Sequence, residues 1–269
     1  MTDPRYRQIA DELGKMIESG RLVPRAQLPT EARLRERYDV SRHTIRDALR
    51  LLAARGLIDI QPGRGIFVRE RFAPFVTTIS ADPEGGGPGA IEQDAYVRTA
   101  MEMGREASAS KPRVEIQQAG RRVARALQLA EDAQVIARHQ QRFLDGQVYS
   151  LQTSFYPLVL VQRGATELLL ATNIAEGAVR YLHEHLGIEL VGYQDRITAR
   201  APTAEEESVF GRAATGISII EMDRTAYDRS GSPFRLTVTV FPADRNEIVV
   251  NVGELPPNIA NPLWSAKEL

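Results

Sequence analysis

Basic side chains recur on one flank of the segment that follows Ser41. At about 100° per residue, a helix beginning there places four of them together, with Thr44 and Asp47 on the opposite flank. The four are Arg42, His43, Arg46 and Arg50. Arginine forks donate paired hydrogen bonds to guanine edges and phosphates. We therefore expect the first turn of this helix to contact base edges and Arg50 to lie nearer a nucleic-acid backbone, unless the row is only a solvated surface.

A second set of polar side chains alternates along two predicted strands. Gln140 and Arg142 are two residues apart on the first strand, as are Gln152 and Ser154 on the second. Alternate residues face the same side of a sheet, and Asp145-Gly146 between the strands is typical of a hairpin turn. These side chains can therefore line one pocket. The alternative is that Arg142 pairs with a surface carboxylate while both glutamines face solvent.

The elements around the first set predict a winged helix-turn-helix. Helices are expected over residues 4–19, 31–38 and 42–55, and short strands over residues 57–60 and 66–68. Asp3, Thr30 and Ser41 can each cap the helix that follows. Residues 39–40 form the tight turn between the last two helices, and a glycine turn separates the two strands, which form the wing.

The charge distribution favours nucleic-acid binding by this N-terminal part. The 269-residue chain has a net charge of −1, but residues 1–70 carry fourteen Lys and Arg against ten Asp and Glu, a net charge of +4. The remainder carries a net charge of −5. A basic head on an acidic body is the distribution expected when the head contacts DNA.

Cysteine and histidine usage argues against metal and redox chemistry. The sequence has no cysteine, which excludes disulfides, iron–sulfur clusters and a thiolate nucleophile. Of its four histidines, His183 and His185 are two residues apart on a predicted helix and therefore point in different directions. We expect no metal site and no cofactor.

Hydropathy predicts a cytoplasmic protein without a membrane partner. No apolar run approaches the roughly 18 residues that span a bilayer. Residues 1–5 also lack the apolar core of a signal peptide.

Composition divides the chain into two predicted domains. Residues 1–70 form the winged helix-turn-helix, residues 71–90 a flexible linker rich in glycine and proline, and residues 91–269 the second domain. Strands are expected over residues 114–118, 134–143, 148–156, 190–199, 218–228, 234–240 and 248–252, with helices over residues 91–107, 121–127, 174–186 and 204–212. Because several strands follow one another directly, the second domain is predicted to be an antiparallel α+β fold.

The N-terminal motifs resemble those of GntR-type bacterial transcription regulators. The matching segments are residues 28–31, 40–49, 56–58 and 63–68. In that family the positions of Arg42, Thr44 and Arg46 contact DNA, the wing glycine at Gly65 approaches the minor groove, and Glu31 and Arg35 lie near the backbone. The full set of expected DNA contacts is Glu31, Arg35, Ser41, Arg42, His43, Thr44, Arg46, Arg50, Arg64 and Gly65.

The second domain resembles the HutC-type effector domain, or UTRA domain, whose α+β fold is similar to that of chorismate lyase. Residues 138–146, 152–157 and 237–245 carry the resemblance. The expected effector-binding residues are Arg138, Gln140, Arg142, Gln152, Ser154, Tyr156, Arg235 and Phe241. Relatives that sense amino-sugar phosphates have an arginine where this chain has Gln140 and an acidic residue where it has Gln152. We therefore expect a carboxylate-bearing, partly apolar effector.

Together these features predict a homodimeric transcription regulator, a repressor that binds a palindromic operator and responds to a small molecule. A fused aminotransferase-like domain does not fit, because it needs a lysine for a Schiff base and only Lys111 and Lys267 follow residue 70. An all-helical metal-binding domain does not fit this strand-rich sequence. One alternative is a chorismate-lyase-like enzyme carrying a DNA-binding head, although no nucleophile–base motif can be assigned. A second alternative is a ligand-independent architectural DNA-binding protein.

Overall fold

The computed structural model describes residues 3–61, 63–69, 75–80, 94–210 and 217–252. Two compact units are formed, one by residues 3–69 and one by residues 75–210 and 218–252.

Three helices and a hairpin form the N-terminal unit. Its elements are α1 (Arg5–Glu18), α2 (Glu31–Tyr38), α3 (Arg42–Ala54), β1 (Ile58–Gln61) and β2 (Gly65–Val68). Their apolar faces meet in a single core, where Leu13, Leu34 and Leu52 are almost fully buried. β1 and β2 pair antiparallel, so the predicted winged helix-turn-helix is confirmed.

Two of the three expected helix caps are present. Thr30 Oγ1 accepts a hydrogen bond from the amide of Arg33, and Ser41 Oγ accepts one from the amide of Thr44. The expected cap at Asp3 is wrong. Pro4 is the residue that precedes α1, and from residue 3 onward no described side chain caps this helix. The backbone carbonyl of Asp3 instead accepts a hydrogen bond from the Gln8 side chain.

An antiparallel sheet forms the framework of the C-terminal unit. Its strands are β4 (Ala107–Ala109), β5 (Arg113–Gln118), β6 (Gln134–Leu144), β7 (Gln147–Pro157), β8 (Leu190–Arg200), β9 (Ile219–Asp228) and β10 (Pro233–Pro242). They are ordered β4-β6-β7-β10-β9-β8, and β5 also pairs with β6. Asp145 and Gly146, both at positive φ, make the predicted turn between β6 and β7. The predicted antiparallel α+β fold is confirmed.

Helices and a second, smaller sheet pack against this framework. The remaining elements are β3 (Phe75–Ser80), α4 (Asp94–Glu102), α5 (Gly120–Leu127), α6 (Val159–Gln162), a 3₁₀ turn at Thr166–Leu169, α7 (Ala178–Leu186), α8 (Ala204–Phe210) and β11 (Asn246–Asn251). One sheet face carries an apolar cluster around Tyr181 of α7 and another around Phe75 and Tyr96. The other face packs against Val123 and Leu127 of α5.

Several sequence expectations need correction. Residues 75–80, assigned to the linker, form β3 and pair in parallel with β11, while linker residues 81–90 lie outside the described residues. The helix expected over 91–107 ends at Glu102, and Ala107 begins β4. The helix expected from residue 174 begins at Ala178, because Gly177 adopts a φ of 80° that a helix cannot continue through.

Candidate functional sites

The first turn of α3 presents the predicted arginines on the surface of the N-terminal unit. Ser41 fixes the start of α3 through its bond to the amide of Thr44, and its hydroxyl also lies 2.9 Å from Thr44 Oγ1. Arg42 and Arg46 side chains retain 67% and 47% of their exposure, and His43 is exposed. These three side chains are therefore accessible to solvent on the surface of the N-terminal unit.

Glu31 of α2 pairs with two of these arginines. Its carboxylate accepts a hydrogen bond from Arg42 Nε at 3.2 Å and from Arg46 Nε at 3.2 and 3.3 Å. Partial burial raises the pKa of Glu31, but the bonds from both arginines lower it overall. The arginines are thus held together in the unbound protein by one ionised carboxylate.

Farther along α3, the prediction that Asp47 lies on the flank opposite the basic side chains is wrong for Arg50. Arg50 Nη1 lies 3.3 Å from Asp47 Oδ1, because residues three apart on a helix are neighbours. Arg35 is exposed on α2.

Gln27, which lies outside β1 and β2, contacts the wing. Gln27 forms an isolated antiparallel bridge with Phe67, and its Nε2 donates to the carbonyl of Arg64 at 3.1 Å. Gly65 has a φ of 126°, and a Cβ there would meet the Gln27 side chain. The exposed Arg64 is therefore presented by a turn that requires glycine at position 65.

In the C-terminal unit, one cavity of about 270 Å³ collects every predicted effector-binding side chain. They are Arg138, Gln140, Arg142, Gln152, Ser154, Tyr156, Arg235 and Phe241. The cavity lies over one sheet face and is also lined by the two apolar clusters, which contribute Ile174 on one side and Phe75 on the other.

Strand register explains this convergence. Arg138, Ser154, Thr237 and Arg224 are successive cross-strand partners on β6, β7, β10 and β9. The Oγ atoms of Ser154 and Thr237 lie 3.2 Å apart, so these side chains share a face. Four arginines line the cavity, and its described lining contains no aspartate or glutamate.

Arg138 is committed to the loop that forms one wall. Its Nη1 donates to the carbonyls of Leu168 and Leu170 at 2.7 and 2.8 Å and to that of Glu167 at 3.3 Å, and its Nη2 donates to the carbonyl of Thr172 at 2.7 Å. Burial lowers the pKa of Arg138. The side chain therefore positions the loop, and its Nε–H takes no part in these four bonds.

Arg224, which sequence reasoning missed, forms a bidentate pair with Asp195. Its Nε and Nη2 lie 2.7 and 2.6 Å from the two carboxylate oxygens. The guanidinium carbons of Arg224 and Arg235 lie 4.9 and 5.9 Å from the ring centre of Tyr193. Arg235 is 2% exposed, and burial lowers its pKa.

Arg142 lies beside an aromatic cluster. Its guanidinium carbon is 5.2 Å from the ring centre of Tyr96, which stacks on Tyr149 with ring centres 5.3 Å apart. Phe75 and Phe241 each pack against the Tyr149 ring. Burial lowers the pKa of Arg142. Burial raises the pKa of Tyr96 to about 12 and also raises the pKa of Tyr149, so both tyrosine side chains stay neutral at physiological pH.

Amides and hydroxyls occupy the middle of the cavity. Gln140, Gln152 and Thr239 are successive cross-strand partners. Gln140 Nε2 donates to Asn173 Oδ1 at 2.8 Å and to the carbonyl of Ser110 at 3.0 Å. Guanidiniums, amides and apolar rings suit the binding of an anionic organic molecule.

Sequence reasoning missed Tyr96, Tyr149 and Arg224, all of which line the cavity. Arg224 and Met222 are two residues apart on a predicted strand, which indicated that their side chains share a face. Nothing in the local sequence indicated which face of that strand would line the cavity. Within the described residues, no group of three potential ligands could hold a metal ion, and no helix is long and apolar enough to cross a membrane.

Protein-family models match both units. Residues 5–68 match the family described as bacterial regulatory proteins, gntR family, and residues 102–247 match the UTRA domain.

Two individual proteins are similar to nearly the whole chain, and a third is similar to a quarter of it. A solved chain described as a GntR-family transcriptional regulator has a TM-score of 0.65 and 26% identity, covering 94% of this chain and 99% of that chain. The HTH-type transcriptional repressor NagR of Bacillus subtilis (strain 168) is 23% identical over 91% of this chain and 93% of its own. The mannosyl-D-glycerate transport/metabolism system repressor MngR of Escherichia coli (strain K12) is 43% identical over 67 residues, 25% of this chain and 28% of its own.

Proposed function

This chain belongs to the GntR family of bacterial regulatory proteins and carries a UTRA domain, and from that membership we propose that it is a repressor of the HutC subfamily. It binds a palindromic operator as a homodimer. A carboxylate-bearing, partly apolar effector enters the cavity of the C-terminal unit and releases the operator.

The exposed first turn of α3 supports the assignment of the DNA contacts. Arg42 and Arg46 reach base edges, Arg50 and Arg35 contact phosphates, and Arg64 of the wing follows the adjacent groove. Such a reader covers only a few base pairs, so a two-fold dimer doubles the contacts and matches a palindromic site. NagR and MngR are named as repressors, which supports repression here.

The observation that carries the effector assignment is the lining of the cavity. Four arginines meet there, without a carboxylate among the described lining residues. A ligand carboxylate gains charge-assisted hydrogen bonds from a guanidinium, while Phe241 and Phe75 provide an apolar wall. An amino sugar, by contrast, has a cationic or polar part for which the described part of the lining offers no acidic partner.

Operator release tests the proposal. The full-length protein is first used to select its operator from a random DNA pool, and release is then followed by fluorescence anisotropy against a panel of carboxylates and glucosamine-6-phosphate. We expect a two-fold symmetric operator, a dimer in light scattering, and release by a carboxylate. Arg142→Ala should bind the operator normally and fail to respond, because coupling requires differential effector binding. Release by glucosamine-6-phosphate, or a normal response of Arg142→Ala, contradicts the effector assignment.

A further inference from the structure

A short extended segment ahead of α2 lies along the second edge of β2. Backbone hydrogen bonds of 2.7, 2.8 and 2.9 Å join residues 25–28 to Ile66 and Val68 of this strand. β1 pairs with the other edge of β2, so the wing is anchored to the segment that leads into α2. Gln27 lies within this segment, opposite Phe67.

The side chain of Gln27 crosses the end of the wing. Its Nε2 donates to the carbonyl of Arg64 at 3.1 Å. A Cβ at Gly65 would lie 3.3 Å from Gln27 Cδ and 3.5 Å from Gln27 Cγ, so the side chain rests on the Gly65 backbone. The amide of Arg64 donates to the carbonyl of Gln61 at 3.0 Å. Both backbone polar groups of Arg64 are thus bonded, one within the turn and one to Gln27.

The turn at the wing tip needs contacts from outside to keep one conformation. Gly63 and Gly65 adopt φ values of 74° and 126°, and glycine has the least restricted backbone of all residues. The pairing of β1 with β2 ends at Gln61 and Gly65, which leaves Arg64 beyond the last rung of the ladder. The bond from Gln27 therefore holds the residue of the wing that is nearest its tip and carries a cation.

The segment that contains Gln27 also leads to the arginines of α3. Thr30, three residues after Gln27, caps α2. Glu31 follows directly and pairs with Arg42 and Arg46. A stretch of five residues thus connects the contact at the wing tip with the contact at the first turn of α3.

We infer that Gln27 is a positioning residue for DNA binding, which directs Arg64 into the minor groove by holding its carbonyl. This inference rests on the proposed function, because it assigns a role within the proposed DNA complex. The narrow minor groove of A·T-rich DNA attracts arginine side chains. Gln27 therefore contributes a preference for A·T base pairs at the operator flanks, and it does so through Arg64 rather than by its own contact with DNA.

Operators that differ only in their flanks test the inference. The operator selected by the full-length protein is prepared with all-A·T or all-G·C flanks beside each half-site, and fluorescence anisotropy gives the ratio of the two affinities. We expect the unaltered protein to prefer A·T flanks by at least about threefold. Gln27→Met removes the donor at similar size and should lose most of this ratio, since a neutral hydrogen bond is worth about two- to tenfold. Base substitutions at the centre of each half-site should weaken Gln27→Met and the unaltered protein by the same factor, which a general loss of folded protein structure at the DNA interface would not preserve.

Matched variants separate positioning from other roles. Gln27→Lys keeps a donor and should retain part of the flank ratio. Gln8→Met removes a similar bond, from Gln8 Nε2 to the carbonyl of Asp3 at 2.7 Å, and should keep the full ratio. Gln27→Met combined with Arg64→Ala should have the same ratio as Arg64→Ala alone, because residues that act through one contact are not additive. Thermal unfolding checks that each variant is folded, and hydrogen exchange at the Arg64 amide of the free protein should accelerate in Gln27→Met.

An unchanged flank ratio in folded Gln27→Met would overturn the inference. A further loss in the double variant beyond that of Arg64→Ala would also overturn it, because Gln27 would then contact DNA itself. Equal binding of both flanks by the unaltered protein contradicts it as well. Each of these results leaves the proposed function standing, whereas failure to select any operator would contradict the proposed function and the inference with it.

Discussion

Both carboxylate oxygens of Glu31 lie within 3.3 Å of Nε of Arg46. One of these oxygens also lies 3.2 Å from Nε of Arg42. Ion pairs this exposed stabilise a fold by only about 0–1 kcal/mol. We propose that these ion pairs matter for binding instead, because in the proposed complex both arginines exchange Glu31 for a base edge or a phosphate of the DNA.

Glu31→Gln should therefore tighten DNA binding. Without the carboxylate, the arginines lose their competing partner, and affinity should rise a few-fold, corresponding to no more than about 1 kcal/mol. Fluorescence anisotropy at a fixed salt concentration measures the change. Glu12→Gln is the matched control, since Glu12 pairs with Arg37 rather than with α3. Weaker binding by Glu31→Gln would show that Glu31 orients the arginines for DNA.

Substitutions of the α3 arginines should have different effects on the sequence specificity of DNA binding. Arg42→Ala and Arg46→Ala should each cost about 1–3 kcal/mol on the operator if the arginine is bidentate to guanine. Arg50→Ala should weaken all DNA sequences alike and reduce the salt slope by about one, as expected of a phosphate contact. Salt titrations on operator and unrelated DNA separate these cases. Unchanged affinity for both Arg42→Ala and Arg46→Ala would mean that another element reads the DNA.

Local patterns were sufficient to predict much of the fold and part of the cavity. The caps Thr30 and Ser41 fix where α2 and α3 begin, and the period of two along a strand explains why Gln140 and Arg142 were correctly placed on one face. These signals are encoded within a few neighbouring residues.

The remaining features depend on contacts between distant segments. Arg224 reaches the cavity because β9 pairs with β10 in one register, and shifting that register by one residue would turn it to the other face. β3 pairs with β11, the last described strand in the sequence, although the composition around β3 is typical of a linker. Neither pairing can be predicted from the residues that neighbour it in the sequence.

Acid should destabilise the C-terminal unit through the ion network of Arg200. This side chain donates to Glu206 at 2.6 and 2.7 Å and to Glu221 at 2.7 and 3.0 Å. Hydrogen bonding from Arg200 lowers the pKa of Glu206; for Glu221, burial acts upward, but bonds from Arg200 and Arg122 lower the pKa overall. A carboxyl group whose pKa is lowered by folding stabilises the folded state at pH values above its unfolded pKa of about 4.3. This stabilisation is lost as the pH falls through the folded pKa.

Arg200→Gln should therefore reduce the free energy of unfolding by about 3 kcal/mol at pH 7, with the difference from the unaltered protein shrinking below about pH 4. Urea unfolding at several pH values measures this. The control Arg180→Gln removes an exposed pair with Glu184 and should leave the free energy of unfolding unchanged at every pH, because solvent screens such a pair. A difference that stays constant down to pH 3 would show that lost packing, rather than charge, causes the destabilisation.

The loop at residues 166–173 should depend on the geometry of Arg138, and not on its charge alone. The planar guanidinium reaches four carbonyls, which a lysine ammonium cannot match because its donors radiate from one atom. Arg138→Lys keeps the charge but leaves the buried carbonyl of Leu168 and the part-buried carbonyls beside it short of donors. A buried carbonyl without a donor costs about 1–3 kcal/mol. Hydrogen exchange over residues 166–173 should therefore accelerate while α5 keeps its protection. Arg163→Lys, at an exposed position just before the loop, should leave exchange unchanged. Equal exchange in Arg138→Lys and the unaltered protein would show that the apolar contacts of Leu168 hold the loop without Arg138.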